Sequence, residues 1–112
     1  MKTSTALVGL CLFAGSVLAQ EPAAASGDVA KGKIKSYTCT GCHGIPGYMN
    51  ASPSYRVPKI GGQNYEYLVT ALEAYRAGTR KHPTMQAQAG NLTDEDIADI
   101  AAYFVSVGEA QQ

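Results

Sequence analysis

Apolar side chains recur every three or four positions along the second half of the chain, which is the spacing of an amphipathic helix. In segment 64–78 the apolar face comprises Tyr65, Leu68, Leu72 and Tyr75. In segment 93–108 the apolar face comprises Ile97, Ile100, Ala101, Phe104 and Val107. No stretch of useful length alternates with a period of two, so the sequence predicts an all-α domain without strands.

Local signals mark where these two helices begin or end. Thr93 is a predicted N-cap, and Asp96 follows three residues later, as in a capping box. Gly78 is the predicted C-terminal stop of the earlier helix. Both segments are therefore predicted as helices from their ends as well as from their apolar faces.

A third, shorter helix is predicted over residues 28–38, and long loops connect the three helices. Its candidate inward residues are Val29, Ile34 and Tyr37. Residues 43–63 are rich in proline and glycine and are predicted to be turns and loop, and residues 79–91 are predicted to form a second loop. Loops of this length need an internal object to order them, so the sequence predicts a domain wrapped around a large cofactor.

The N-terminal residues have the features of an export signal. A short cationic start precedes an apolar run, and Val17 and Ala19 suit a small-residue cleavage site, so residues 1–19 are predicted to be a signal peptide cleaved after Ala19. Residues 20–26 are then a flexible leader, and residues 27–112 form one domain located in the periplasm. The alternative is an N-terminal segment retained as a membrane anchor.

Cleavage of the predicted signal peptide changes the composition and the net charge of the chain. The mature chain has 93 residues, with 8 basic and 9 acidic side chains and a net charge of −1. Nucleic-acid binding requires a basic surface, so this balance argues against it. Cys11 is removed with the signal peptide, and Cys39 and Cys42 are the cysteines that remain.

Residues 39–43 read CTGCH, a pair of cysteines followed directly by a histidine. A structural zinc site would need four ligands, and His43 is poorly placed to join both thiolates around one tetrahedral ion, with His82 as the only further soft ligand. A thioredoxin-like dithiol would need a βαβ pattern, and the sequence predicts no strands. In covalent haem attachment, Cys39 and Cys42 lie one helical turn apart, each can form a thioether with a haem vinyl group, and His43 falls under the iron. The motif therefore predicts one covalent haem c.

The second axial ligand determines what the iron can do. Met85 lies 42 residues after His43 in the second predicted loop, from which it can reach the opposite haem face. Met49 and His82 are the alternatives. Histidine–methionine ligation raises the reduction potential and leaves no open position for oxygen or peroxide, so it predicts electron transfer rather than catalysis.

Four segments together resemble the class I c-type cytochromes, and are most similar to one half of the tandem dihaem c-four-type cytochromes and to their small monohaem relatives. They are GDVAKGK, CTGCHG, VPKIGGQNYEYLVTALEAYRAGTRKHPTM and LTDEDIADIAAYF, and the resemblance covers about residues 27–107. It implies the class I cytochrome c fold, with three to five helices and long loops around one covalent haem. It also implies that the carbonyl of Pro58 bonds to the far ring nitrogen of His43, and that Gly32 lies where the first and last helices cross, opposite Tyr103 and Phe104.

The resemblance implies a small exported electron carrier, not an enzyme, that passes one electron between respiratory-chain partners. These partners are redox proteins such as an oxidase, a reductase or a dehydrogenase, membrane-bound ones included, and no small-molecule substrate is expected. Arg80 and Lys81 predict a mildly cationic docking patch near Met85. The alternative function is a haem subunit of a larger enzyme, or a gas- or peroxide-reactive haem protein whose distal ligand is labile.

Overall fold

The computed structural model describes residues 26–109, in which five helices and one two-stranded antiparallel sheet follow each other along the chain. The helices are α1 (Val29–Lys35), α2 (Tyr37–His43), α3 (Tyr65–Arg76), α4 (Pro83–Ala89) and α5 (Asp94–Glu109), and the strands are β1 (Met49–Ala51) and β2 (Ser54–Arg56). Five helices confirm the predicted helical class. The predicted signal peptide and most of the predicted leader lie outside the described residues, so those boundaries stay predictions.

Helix α5 forms one wall of the core, and its start is the predicted capping box. The Asp96 backbone N–H donates to Thr93 Oγ1 at 3.1 Å, and the Thr93 N–H donates to Asp96 Oδ2 at 2.9 Å. This reciprocal pair satisfies two N–H groups at the start of the helix. Its predicted apolar face is buried except for the half-buried Val107, and a core cluster joins Ile100, Ala101, Phe104 and Leu68.

Helix α3 supplies the opposite side of that cluster through Leu68. The side chain of Asn64 accepts from the Tyr67 N–H and caps the helix start. Gly78 follows the helix with φ +74°, a left-handed conformation that glycine adopts without a steric penalty. The predicted stop at Gly78 is therefore confirmed.

Helices α1 and α5 cross in close backbone contact at Gly32. A Cβ atom there would overlap the Asp99 carbonyl group and would lie 2.9 Å from the Cβ of Tyr103. The predicted crossing at Gly32 is confirmed, with the closest contact one helical turn before the Tyr103–Phe104 pair.

The predicted inward face of the first helix is wrong. Val29, Ile34 and Tyr37 are exposed, Ile34 and Tyr37 to 77% and 82%, whereas Gly32 and Ser36 are buried. The close crossing with α5 leaves room only for small side chains, so the small residues face inward and the apolar ones outward. The predicted single helix is also divided at Ser36 into α1 and α2.

The predicted loop that carries Met85 contains a helix. Helix α4 has seven residues, with His82 as N-cap, Pro83 in its first turn and Gly90 as C-cap. Proline is well suited to the first helical turn, where its missing N–H has no intrahelical partner in any case. The segment is too short for an apolar periodicity to show, which is why the sequence predicted a loop.

The prediction of no strands is also wrong, because residues 49–56 form a hairpin. Met49 pairs with Arg56 and Ala51 pairs with Ser54 in antiparallel register. Strands of three residues are too short for an alternating pattern to be recognised. Within residues 26–109, none of the helices combines the length and the apolar content that crossing a bilayer would take.

Candidate haem-binding site

A cavity of about 520 Å³ lies between α2, the hairpin, α3, α4 and α5. Every predicted site residue contributes to its wall. They are Cys39, Cys42, His43, Pro58 and Met85. The apolar part of the wall includes Leu68, Leu72, Ile100, Ala101 and Phe104, so the cavity is continuous with the core cluster.

The two cysteines occupy the same helix, α2, one turn apart, and both line the cavity. Cys39 packs against the core cluster, and burial raises the pKa of its thiol. Two cysteine sulfurs on one cavity wall suit covalent attachment of a flat apolar group.

His43 is the last residue of α2, and its ring orientation is fixed by the segment after the hairpin. The Nδ1 atom lies 2.7 Å from the carbonyl oxygen of Pro58. A carbonyl only accepts, so Nδ1 carries the proton and Nε2 keeps its lone pair. A histidine held in this way is a better-oriented and more basic ligand for a metal.

Met85 on α4 also lines the cavity and is half-buried. The backbone N–H of Met85 donates to Nδ1 of His82 at 3.4 Å, and the His82 ring meets the ring of Tyr55 edge-on, with centroids 4.9 Å apart. His82 also lines the cavity, whereas Met49 is 52% exposed and is not among the lining residues. Of the three candidate ligands, Met85 and His82 thus face the cavity, and His82 already serves as the cap of α4.

The chemistry of the donor set fits a haem. Two thiols, one oriented imidazole and one thioether share a cavity whose wall is largely apolar, as haem attachment and axial ligation need. Among residues 26–109, no group of three or more His, Cys, Asp or Glu side chains is placed to hold a metal ion directly.

Sequence reasoning missed a polar group on the cavity wall, formed by Tyr67, Tyr75 and Arg80. The guanidinium carbon of Arg80 lies 4.8 Å from the ring centroid of Tyr75 and 5.9 Å from that of Tyr67. The eight-residue spacing of the two tyrosines on α3 was a usable signal that they share a face. The position of Arg80 against them depends on the turn after α3 and has no local signal.

Comparison with known proteins gives the family. The profile of the cytochrome c family matches residues 29–108, so the chain belongs to this family. Cytochrome c-554(548) of Halomonas halodenitrificans is 45% identical over 84 residues, covering 72% of this chain and 98% of that protein. Cytochrome c4 of Pseudomonas aeruginosa is 42% identical over 82 residues, covering 73% of this chain and 39% of that protein. The cytochrome subunit of sulfide dehydrogenase of Chlorobaculum tepidum is 37% identical over 92 residues, covering 82% and 80%.

These similarities define the chain as a class I c-type cytochrome related to the c4 type. It binds one covalent haem c and is an electron carrier between redox partners. The chain spans about two fifths of the length of the cytochromes c4 that it matches, 39% and 42% for two of them.

Proposed function

We propose that Cys39 and Cys42 form the two thioether bonds to the haem, and that His43 and Met85 bind its iron from opposite sides. The main support is that all four side chains line one cavity. The bond between His43 Nδ1 and the Pro58 carbonyl adds support, because it leaves Nε2 available as a ligand.

The ligand pair determines the chemistry that we assign to the protein. The haem supplies the one-electron chemistry, and the chain positions it and sets its potential. His43 and Met85 together would fill both axial positions, so oxygen, peroxide and carbon monoxide would find no open site. The protein is therefore an electron carrier without a catalytic activity of its own.

We further propose that the carrier is exported and acts in the periplasm after cleavage behind Ala19. The residues that support export are the cationic start, the apolar run and the small residues of segment 1–19. In this compartment its partners are redox proteins of the respiratory chain. The domain then comprises residues 27–112.

Two measurements on the purified wild-type protein test this function. Haem should stay with the chain after acid–acetone extraction and denaturing electrophoresis, because thioether bonds survive both treatments. The visible spectrum of the reduced protein should not change when carbon monoxide is added. Haem released into the solvent would contradict the thioether assignment, and a carbon monoxide adduct would contradict firm axial ligation.

A second candidate function is a haem subunit of a larger dehydrogenase. The similarity to the cytochrome subunit of sulfide dehydrogenase favours it, because the aligned region covers 80% of that subunit. Gel filtration of an unfractionated native extract separates the two functions. A free carrier elutes near the mass of its own domain, whereas a subunit elutes together with a much larger dehydrogenase.

A further inference from the structure

Arg80 is held in place at the cavity wall by two aromatic rings and a hydrogen bond. Its guanidinium lies over the ring of Tyr75, with 4.8 Å between the guanidinium carbon and the ring centroid, and near the ring of Tyr67 at 5.9 Å. Nη1 donates to the Tyr67 hydroxyl at 3.3 Å. Contacts of this kind favour a cation above an aromatic face and restrict its rotation.

The charge of Arg80 has no carboxylate partner within residues 26–109. The ion pairs in that range are formed by Lys31, Lys35 and Arg76. The hydrogen bond with Tyr67 raises the pKa of Arg80, so the guanidinium remains charged at every working pH. Arg56 and Lys59 also line the cavity, but within the same range neither has an aromatic contact or a side-chain hydrogen bond that fixes it.

The neighbouring cation, Lys81, is placed differently. Its Nζ donates to the carbonyl of Gly78 at 2.7 Å, and it is not among the residues that line the cavity. The sequence predicted that Arg80 and Lys81 act together in one docking patch. Arg80 lines the cavity and Lys81 does not, although both residues are exposed, so the shared docking patch stays a prediction.

We propose that Arg80, fixed by Tyr67 and Tyr75 on the cavity wall, is the positive charge that raises the reduction potential of the bound haem. This inference rests on the proposed function, because it requires the haem to occupy the cavity that Arg80 lines. Arg80 acts through its charge and is not itself a ligand of the iron.

The physical reason is the difference in charge between the two oxidation states. The ferric haem carries one more positive charge than the ferrous haem, so a nearby fixed cation destabilises the ferric form and favours reduction. A flexible cation has a weaker effect, because its distance from the haem varies and water and salt screen it. Arg80 is exposed, but its contacts with Tyr67 and Tyr75 keep its guanidinium at one position on the cavity wall.

The test is a potentiometric titration of the purified holoprotein in four variants. Arg80→Gln removes the charge, and Arg80→Lys keeps a charge without the planar guanidinium. Tyr67→Phe removes the hydrogen bond that holds Arg80, and Lys81→Gln is the matched control for an adjacent surface cation. The weak far-red sulfur-to-iron band of the oxidised protein is recorded for each variant to monitor axial ligation.

We expect Arg80→Gln to lower the midpoint potential most, Arg80→Lys and Tyr67→Phe to lower it less, and Lys81→Gln to change it by less than a third of the Arg80→Gln shift. The Arg80→Gln shift should exceed the Lys81→Gln shift at low and at high ionic strength, and the far-red band should remain in all four variants. Equal shifts for Arg80→Gln and Lys81→Gln, or no shift for Arg80→Gln, would overturn the proposal.

Loss of the far-red band in Arg80→Gln, together with a wild-type potential in Tyr67→Phe and Arg80→Lys, would also overturn it. Arg80 would then act by supporting Met85 rather than through its charge. A wild-type protein without covalent haem would instead refute the proposed haem site itself. The two failures are therefore distinguishable.

Discussion

Lys35 Nζ lies 2.6 Å from Oδ2 of Asp99 and joins α1 to the buried side of α5. The Asp99 side chain is almost completely buried, and its Oδ1 also accepts the backbone N–H of Asp28 at 2.7 Å. Lys35 contacts a second carboxylate, Asp96, at 2.8 Å. The hydrogen bonds from Lys35 lower the pKa of Asp99 and hold the pKa of Asp96 at about 2.

These pKa values predict how stability depends on acid. Both carboxyl groups have a lower pKa in the folded protein than the ordinary value of about 4 in an unfolded chain. The unfolded state therefore binds more protons in this range, and the free energy of unfolding falls as the pH drops from about 4 towards 2. Lys35→Met should reduce stability at neutral pH and flatten the decline between about pH 4 and pH 2.

Denaturant unfolding of the holoprotein at a series of pH values measures this effect. Lys33→Met is the control, because Lys33 is on the same helix and exposed, and it forms no ion pair within residues 26–109. The control should follow the wild-type pH profile. A Lys35→Met profile parallel to wild type at all pH values would show that Lys35 does not set the acid sensitivity.

A second prediction concerns the backbone contact at Gly32. Gly32→Val should lower the free energy of unfolding by about 1–3 kcal/mol, because its side chain would overlap the backbone of Asp99, which cannot move aside as a side chain could. Gly41→Ala is the matched control, since a Cβ at Gly41 has no neighbour within 4 Å. Thermal melts of both holoproteins decide the matter, and similar melting temperatures for the two variants would be inconsistent with a tight crossing.

Gly32 also illustrates what the sequence could predict of the fold. Helices α3 and α5 were predicted from long apolar faces with caps at Thr93 and Gly78, because each signal is local and several agree. The inward face of α1 was predicted wrongly because its close crossing with α5 leaves room only for small side chains. Helix α5 is distant in sequence, so the sequence of α1 alone does not show this contact. Helix α4 and the hairpin were missed because segments of seven and three residues are too short to establish a period.

For the site, the sequence could predict the candidate ligands but not the residues that surround them. The CTGCH motif and Met85 could be proposed as haem-binding residues because haem attachment and iron ligation need particular residue types at a particular spacing. The stacking of Arg80 on Tyr75 could not, since it results from the turn that follows α3 and not from any spacing along one element. Sequence reasoning thus proposes residues that bind the cofactor more readily than residues that adjust its potential.

A third prediction assigns the sulfur ligand. Met85→Ala should abolish the far-red sulfur-to-iron band of the oxidised protein and lower the reduction potential, because methionine ligation raises that potential. Met49→Ala should leave both unchanged, since Met49 is half-exposed on β1 and does not line the cavity. The comparison requires optical spectra and potentiometric titrations of both variants. The reverse pattern would assign the ligand to Met49.

The last prediction separates the two roles available to His82, which are capping α4 and binding iron. Its Nδ1 accepts the Met85 N–H at 3.4 Å, so we expect it to act as a cap. Asparagine is a good N-cap with a side-chain acceptor in a similar position, so His82→Asn should retain nearly wild-type stability, whereas His82→Ala should lose about 1 kcal/mol. Both variants should keep the far-red band, because the proposed ligand, Met85, is unchanged. A spectrum that changes equally in both variants, with unchanged stability, would instead assign His82 to the iron.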